Sequence, residues 1–197
     1  MEKKIILFAG LLSCLALLSF SLLEGDRKGA YKHYYKGNYY YSEGRFDKAV
    51  HHFSQAYDAL PNEFNFALAY AVGLGRVGKT KDSQVLFRRS IGLLSDRDPE
   101  YKQKMALLHF FEGVTYCYSG QYAYAVAPLK KSIAIQETLG KPAALSVMYN
   151  TLGYATFMNQ GRGAHKSQDR PLHYHVRKDD LQRSYDIFKL ALKHDAR

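Results

Sequence analysis

Small, aromatic and glycine positions recur along the chain in one order, and that order predicts paired helices. From residue 30 the skeleton reads Gly37, Tyr40, Gly44, Ala49, Phe53, Ala56 and Pro61. Small residues let two helix backbones approach, aromatics fill the gaps, and a glycine without a Cβ ends the first helix in a left-handed turn. At the same offsets a second skeleton follows: Ala71, Leu74, Gly78, Ser83, Phe87 and Ser90. A third reads Gly113, Tyr116, Gly120, Tyr122, Ala125, Leu129 and Ser132. A fourth opens with Gly153 and Thr156, but its second helix is legible only later, at Ser184, Phe188 and Ala191. The predicted architecture is all-α, with helix–turn–helix units starting at 30, 64, 106 and 146 and so spaced 34, 42 and 40 residues apart. One such unit cannot bury its apolar face alone, so stacking of successive units makes the core.

These residues resemble the tetratricopeptide repeat family, with repeat position 1 at Ala30 and the helix stop of position 32 at Pro61. The resemblance covers roughly residues 30–194, in units of about 30–63, 64–97, 106–139 and 146–194. It implies a right-handed α-solenoid of about four units within residues 28–197, behind an N-terminal hydrophobic segment. The longer spacings match family variants with extended helices. Asp96 to Glu100, with Pro99 among them, fits the cap of one such long helix.

The resemblance also implies a concave groove lined by the first helix of each unit. Carried over position by position, its lining is Tyr31, Tyr34, Asn38 and Tyr41 from the first unit and Asn65, Leu68 and Val72 from the second. The third unit adds Phe110, Val114 and Tyr118, and the fourth Asn150, Tyr154 and Phe157. Members that grip a terminal carboxylate do so with Lys and Arg, and the corresponding positions here include Tyr34, Leu107 and Phe111, so that clamp is missing. An aromatic and apolar lining with asparagines suits a partner protein or peptide that is apolar and extended or helical.

Composition sharpens the leader more than the repeats. Residues 5–23 carry no charge. As a helix they span ~28 Å, close to the ~30 Å hydrocarbon core of a bilayer. Residues 1–27 therefore read as a membrane anchor, as a cleaved signal peptide with Ser19 and Ser21 at the peptidase-read positions, or as a lipoprotein leader ending at Cys14. Lys3 and Lys4 before the apolar run favour export, placing the repeats on the periplasmic or extracytoplasmic side. The formal net charge of +10 favours acidic partners. Arg88 and Arg89 occupy the same repeat positions as Lys130 and Lys131, an outer basic face suited to solvent or to anionic lipid. No recognised nucleic-acid module is present, so no nucleic-acid partner is expected.

Two motifs point elsewhere. Gly73 to Thr80 satisfies the phosphate-loop pattern, which needs a buried strand before it. Here the preceding Phe66 to Val72 reads as helix and Gly78 as the repeat's turn. An insertion at about 160–177 carries His165, His173 and His175 near Asp169 and Asp179; His-x-His without a supporting Cys is a weak metal signal. No catalytic constellation, metal or cofactor is expected. The predicted function is a non-enzymatic scaffold or adaptor of envelope assembly or secretion. The alternatives are a regulatory module acting through the His-rich loop and a metal- or nucleotide-dependent enzyme.

Overall fold

Gly44, Gly78 and Gly120 adopt φ of 72°, 80° and 68°, and each sits between two helices. A computed structural model describes residues 26–140, 142–163, 186, 187, 189 and 190. Among these the chain forms seven helices and no strand: α1 (26–42), α2 (Phe46–Ala59), α3 (Phe64–Arg76), α4 (Thr80–Gly92), α5 (Tyr101–Tyr118), α6 (Tyr122–Thr138) and α7 (Pro142–Gly163). The three turns repeat one hydrogen-bond pattern. Arg45 N–H donates to Tyr40 O at 2.9 Å, Lys79 N–H to Leu74 O at 2.9 Å, and Gln121 N–H to Tyr116 O at 2.8 Å. This six-to-one closure satisfies the last carbonyls of the first helix and needs a left-handed residue just before the donor. Gly140, with φ 63°, closes α6 in the same conformation.

This turn geometry decides the fate of the phosphate-loop pattern. Gly73 and Gly75 lie inside α3, Gly78 is the turn residue, and Thr80 opens α4. A Cβ on Gly78 would meet nothing within 4 Å, so only the backbone conformation resists a side chain there. Gly78→Ala is expected to cost about 1–2 kcal/mol, and Lys79→Ala under about 0.5 kcal/mol, in urea unfolding. Equal effects would contradict the turn reading.

Residue contacts divide the chain into two units, up to Tyr70 and from Ala71 onward, the division falling inside α3. In the first unit Phe53 of α2 is buried against α1. Gly37 makes that approach possible: a Cβ there would stand 2.5 Å from two carbons of the Phe53 ring. Ala30, Ala56 and Phe66 form the neighbouring core, with Tyr31, Tyr34, Tyr57 and Leu60 packed against it.

The first unit also holds two facing histidines. His33 of α1 and His52 of α2 approach to 3.1 Å between their Nδ1 atoms, and the His52 ring stacks on Tyr40 with 3° between planes. Burial, then the neighbouring His33, lowers the His52 pKa below its ordinary value. The unfolded chain therefore binds more protons than the folded one near that pKa. The stability this pair contributes is present above about pH 6.5 and is lost as the pH falls through the lowered folded value. Thermal unfolding at pH 7.5 and 5.5 should show a loss on acidification that is smaller in His33→Gln. An equal loss in both proteins would contradict the pairing.

In the second unit the small positions do more than leave room. Ser83 and Ser132 are fully buried, and each hydroxyl donates across to another helix's carbonyl, Ser83 to Ala71 O at 2.6 Å and Ser132 to Ala106 O at 2.7 Å. Gly113 lets α5 meet α6 so closely that a Cβ would stand 2.5 Å from Leu129 Cγ. Leu129, Ala125, Ile133, Leu145, Met148, Tyr149, Leu152 and Ala155 form the main core, with Ile187 packed against it. Tyr149 donates to Glu137 Oε1 at 2.6 Å; burial, reinforced by this carboxylate, pushes its pKa up to about 12.

The long helix expected after Pro99 begins at Tyr101, ahead of the unit start at Ala106. Asp98 organises this extra turn: one oxygen accepts the Glu100 N–H at 2.8 Å and the other the Lys104 ammonium at 2.7 Å. The Lys104 hydrogen bond holds the Asp98 carboxyl below the usual carboxylate range. α7 runs to Gly163, so residues 160–163 of the expected loop are helical. Residues 164–177, and with them His165, His173 and His175, lie outside the described residues, as do 1–25. Among the described residues no helix is long and apolar enough to cross a membrane.

Candidate functional surface

Two helices of the second unit each carry a mostly apolar row at helical spacing, partly exposed and, at Phe110, touching the core. On α5 the row is Leu107, Phe110, Val114 and Tyr118, and on α7 it is Val147, Asn150, Tyr154 and Phe157. Spacings of three and four residues keep each row on one helix face. Leu107, Tyr118, Val147, Tyr154 and Phe157 are among the exposed large hydrophobic residues of the chain, and Asn150 is exposed beside them. Phe110 and Val114 are half-buried. α5 and α7 contact each other directly.

Neighbouring groups hold its aromatic members in place. The Tyr154 ring stands edge-on to Tyr122, with 5.8 Å between centroids, and the two hydroxyls are 3.4 Å apart. The Arg76 guanidinium lies 4.0 Å over the Tyr118 ring. Such a cation over an aromatic face contributes about 0.5–1 kcal/mol at an exposed site. It also puts a positive group at the edge of the apolar surface. The result is a surface of fixed rings with a few hydrogen-bonding groups, suited to covering an apolar segment of another chain.

The remaining predicted groove residues divide by burial. Asn38 and Asn65 are exposed. Tyr31 and Tyr34 are half-buried, each with its ring 5.0 Å from that of Phe66, and Tyr41 packs edge-on to Phe46 at 5.2 Å. Leu68 and Val72 are corrected: at 5% and 8% exposure they are core side chains and offer no lining. The cause is the composition of α3, which is apolar on nearly every side and is buried accordingly. Arg88, Arg89, Lys130 and Lys131 are all exposed. Their helices, α4 and α6, each contact α5 rather than one another.

Reactive chemistry is sparse on these faces. Among the described residues no group of three or more His, Cys, Asp or Glu is placed to hold a metal ion. Burial pushes the half-buried Cys117 thiol up to about 11, so it is protonated at neutral pH. One feature escaped sequence reading. Lys81, Gln84, Val85, Arg88, Tyr116 and Tyr124 help line a cleft of about 400 Å³. Tyr116 stacks on Tyr124 at 5.7 Å and donates its hydroxyl to Gln84 Oε1 at 2.7 Å. Arg88 and Tyr116 stand out in the sequence for other reasons, and nothing in the repeat pattern singles out Tyr124.

Comparisons with known proteins bear on the repeat fold. The tetratricopeptide repeat family matches residues 30–63, the span of the first predicted unit. No curated protein matches the chain. Among solved structures the chain is similar to PilW, described as a type IV pilus biogenesis factor, at 21% identity and a TM-score of 0.50. That match covers 96% of this chain and 86% of the other, and it shows a shared fold. The MamA protein is more distant, at 15% identity and a TM-score of 0.31, covering 86% of this chain and 93% of the other.

Proposed function

We propose that this chain, whose residues 30–63 match the tetratricopeptide repeat, is a non-enzymatic scaffold docking a partner protein or peptide on the apolar face of α5 and α7. The observation that carries this reading is the paired row of exposed rings and aliphatic groups at the positions the family uses for binding. In this proposal the uncharged run at 5–23 exports the repeats or tethers them to a membrane, and the partner belongs to cell-envelope assembly or secretion. The likeness to a pilus biogenesis factor supports an envelope role. Asn150 and the Tyr154 hydroxyl supply hydrogen bonds that orient the bound segment.

Hot-spot aromatics contribute about 2 kcal/mol or more each, roughly thirtyfold in affinity. Crosslinking and capture from solubilised membranes should recover a defined partner with the natural sequence. Tyr154→Ala and Phe157→Ala should each weaken that capture at least tenfold while helical circular dichroism is retained. Undiminished capture by both folded variants would rule out this face as the docking surface.

A further inference from the structure

The first turns of α1 carry a charged aromatic stripe that the repeat core leaves in solvent. Arg27, Lys28, Tyr31, Lys32 and Tyr35 line one shallow cleft on a single side of the helix. Tyr39 continues it one turn further, and Tyr35 and Tyr39 are 64% and 59% exposed. None of the three bases is ion-paired among the described residues. Tyr31 anchors the stripe to the core, packing edge-on against the fully buried Phe66 with 5.0 Å between rings. Directly ahead of it in sequence runs the uncharged segment 5–23.

Three kinds of chemistry converge on one occupant. Lysine and arginine attract anionic headgroups when they stand within a Debye length of the surface. Tyrosine settles at headgroup depth, with its ring toward the acyl chains and its hydroxyl toward water. Protein partners select against lysine in the interface, whereas a bilayer accepts its long stem. We propose that this face of α1 lies on anionic phospholipid headgroups, with Arg27, Lys28 and Lys32 on the phosphates and Tyr35 and Tyr39 at the interface. The proposal rests on the membrane-tether reading and adds to it a second point of contact, which fixes how the repeat domain meets the bilayer.

The chain contains no tryptophan, so Tyr35→Trp creates a single emitting reporter within the stripe. The full-length variant is reconstituted with vesicles of phosphatidylcholine, with or without phosphatidylglycerol. Emission should shift to shorter wavelength and be quenched by brominated lipid only when phosphatidylglycerol is present, and high salt should reverse both changes. Each base near an anionic surface changes partitioning roughly fivefold, so neutralising three should lower it about a hundredfold. Accordingly, Arg27→Gln, Lys28→Gln and Lys32→Gln together should abolish the shift. A reporter at Tyr124→Trp, on α6, should not respond. Co-sedimentation without any shift in the emission of the Tyr35→Trp reporter, or with an equal shift on neutral vesicles, would overturn this inference and leave the tether intact. Failure to co-sediment with either vesicle would overturn both.

Discussion

Replacing Phe53 with alanine is expected to cost about 3–5 kcal/mol, the loss typical of a buried phenylalanine whose site collapses only in part. The ring is 2% exposed and lies against the Gly37 backbone, with Tyr34 and Tyr41 rings at 6.3 and 6.5 Å. Whole domains are stable by only about 5–15 kcal/mol, so a loss of this size should move the urea midpoint far toward water. Gly37→Ala alone should cost about 1–3 kcal/mol by overpacking, because the new methyl would stand 2.5 Å from the Phe53 ring. In the double variant that methyl occupies space the missing ring has vacated. The combined loss should therefore fall short of the sum of the two. Strict additivity would show that the two residues do not share that space.

The second large effect lies at the equivalent pair of the later unit. Leu129→Ala should cost about 2–5 kcal/mol, since the side chain is fully buried in the main core. Gly113→Ala should partly rescue it, because its methyl would enter the volume left by Leu129 Cγ. Rescue should be incomplete. The same methyl would stand 3.2 Å from the Ala125 carbonyl oxygen, a backbone atom that does not retreat when Leu129 is shortened. Urea unfolding of the two single variants and the double variant measures this coupling. A double variant no more stable than Leu129→Ala would contradict the geometry.

These pairs also show which information a sequence carries. Gly37 with Phe53, and Gly113 with Leu129, were legible because one helix pair packing closely requires a missing Cβ opposite a large side chain. The turn glycines were legible for a similar reason, since a left-handed backbone admits few other residues. Ser83 and Ser132 were read only as small. Their hydroxyl bonds to Ala71 and Ala106 depend on where a neighbouring carbonyl lies, which residue size does not encode. Leu68 and Val72 were misplaced because a position-by-position transfer ignores that α3 is apolar on nearly every side. His33 and His52 stand nineteen residues apart, and only the register of α1 against α2 brings them together. On the docking surface, the rows on α5 and α7 follow from helical spacing. The anchoring of Tyr154 by Tyr122 and of Tyr118 by Arg76 required the folded structure.

The half-buried thiol of Cys117 gives the second unit a built-in reporter. With its pKa pushed up to about 11, little of it is thiolate at neutral pH, so alkylating reagents react slowly as long as α5 keeps its surroundings. Opening of that region restores an ordinary thiol, and modification then speeds up in proportion to the fraction of time the region is open, or to the opening rate where labelling outruns reclosing. In a Cys14→Ser background, the time course of Cys117 labelling therefore counts excursions of the second unit out of its native packing. A partner that covers the neighbouring Tyr118 should slow that count, so occupancy of the docking face becomes readable as elapsed time.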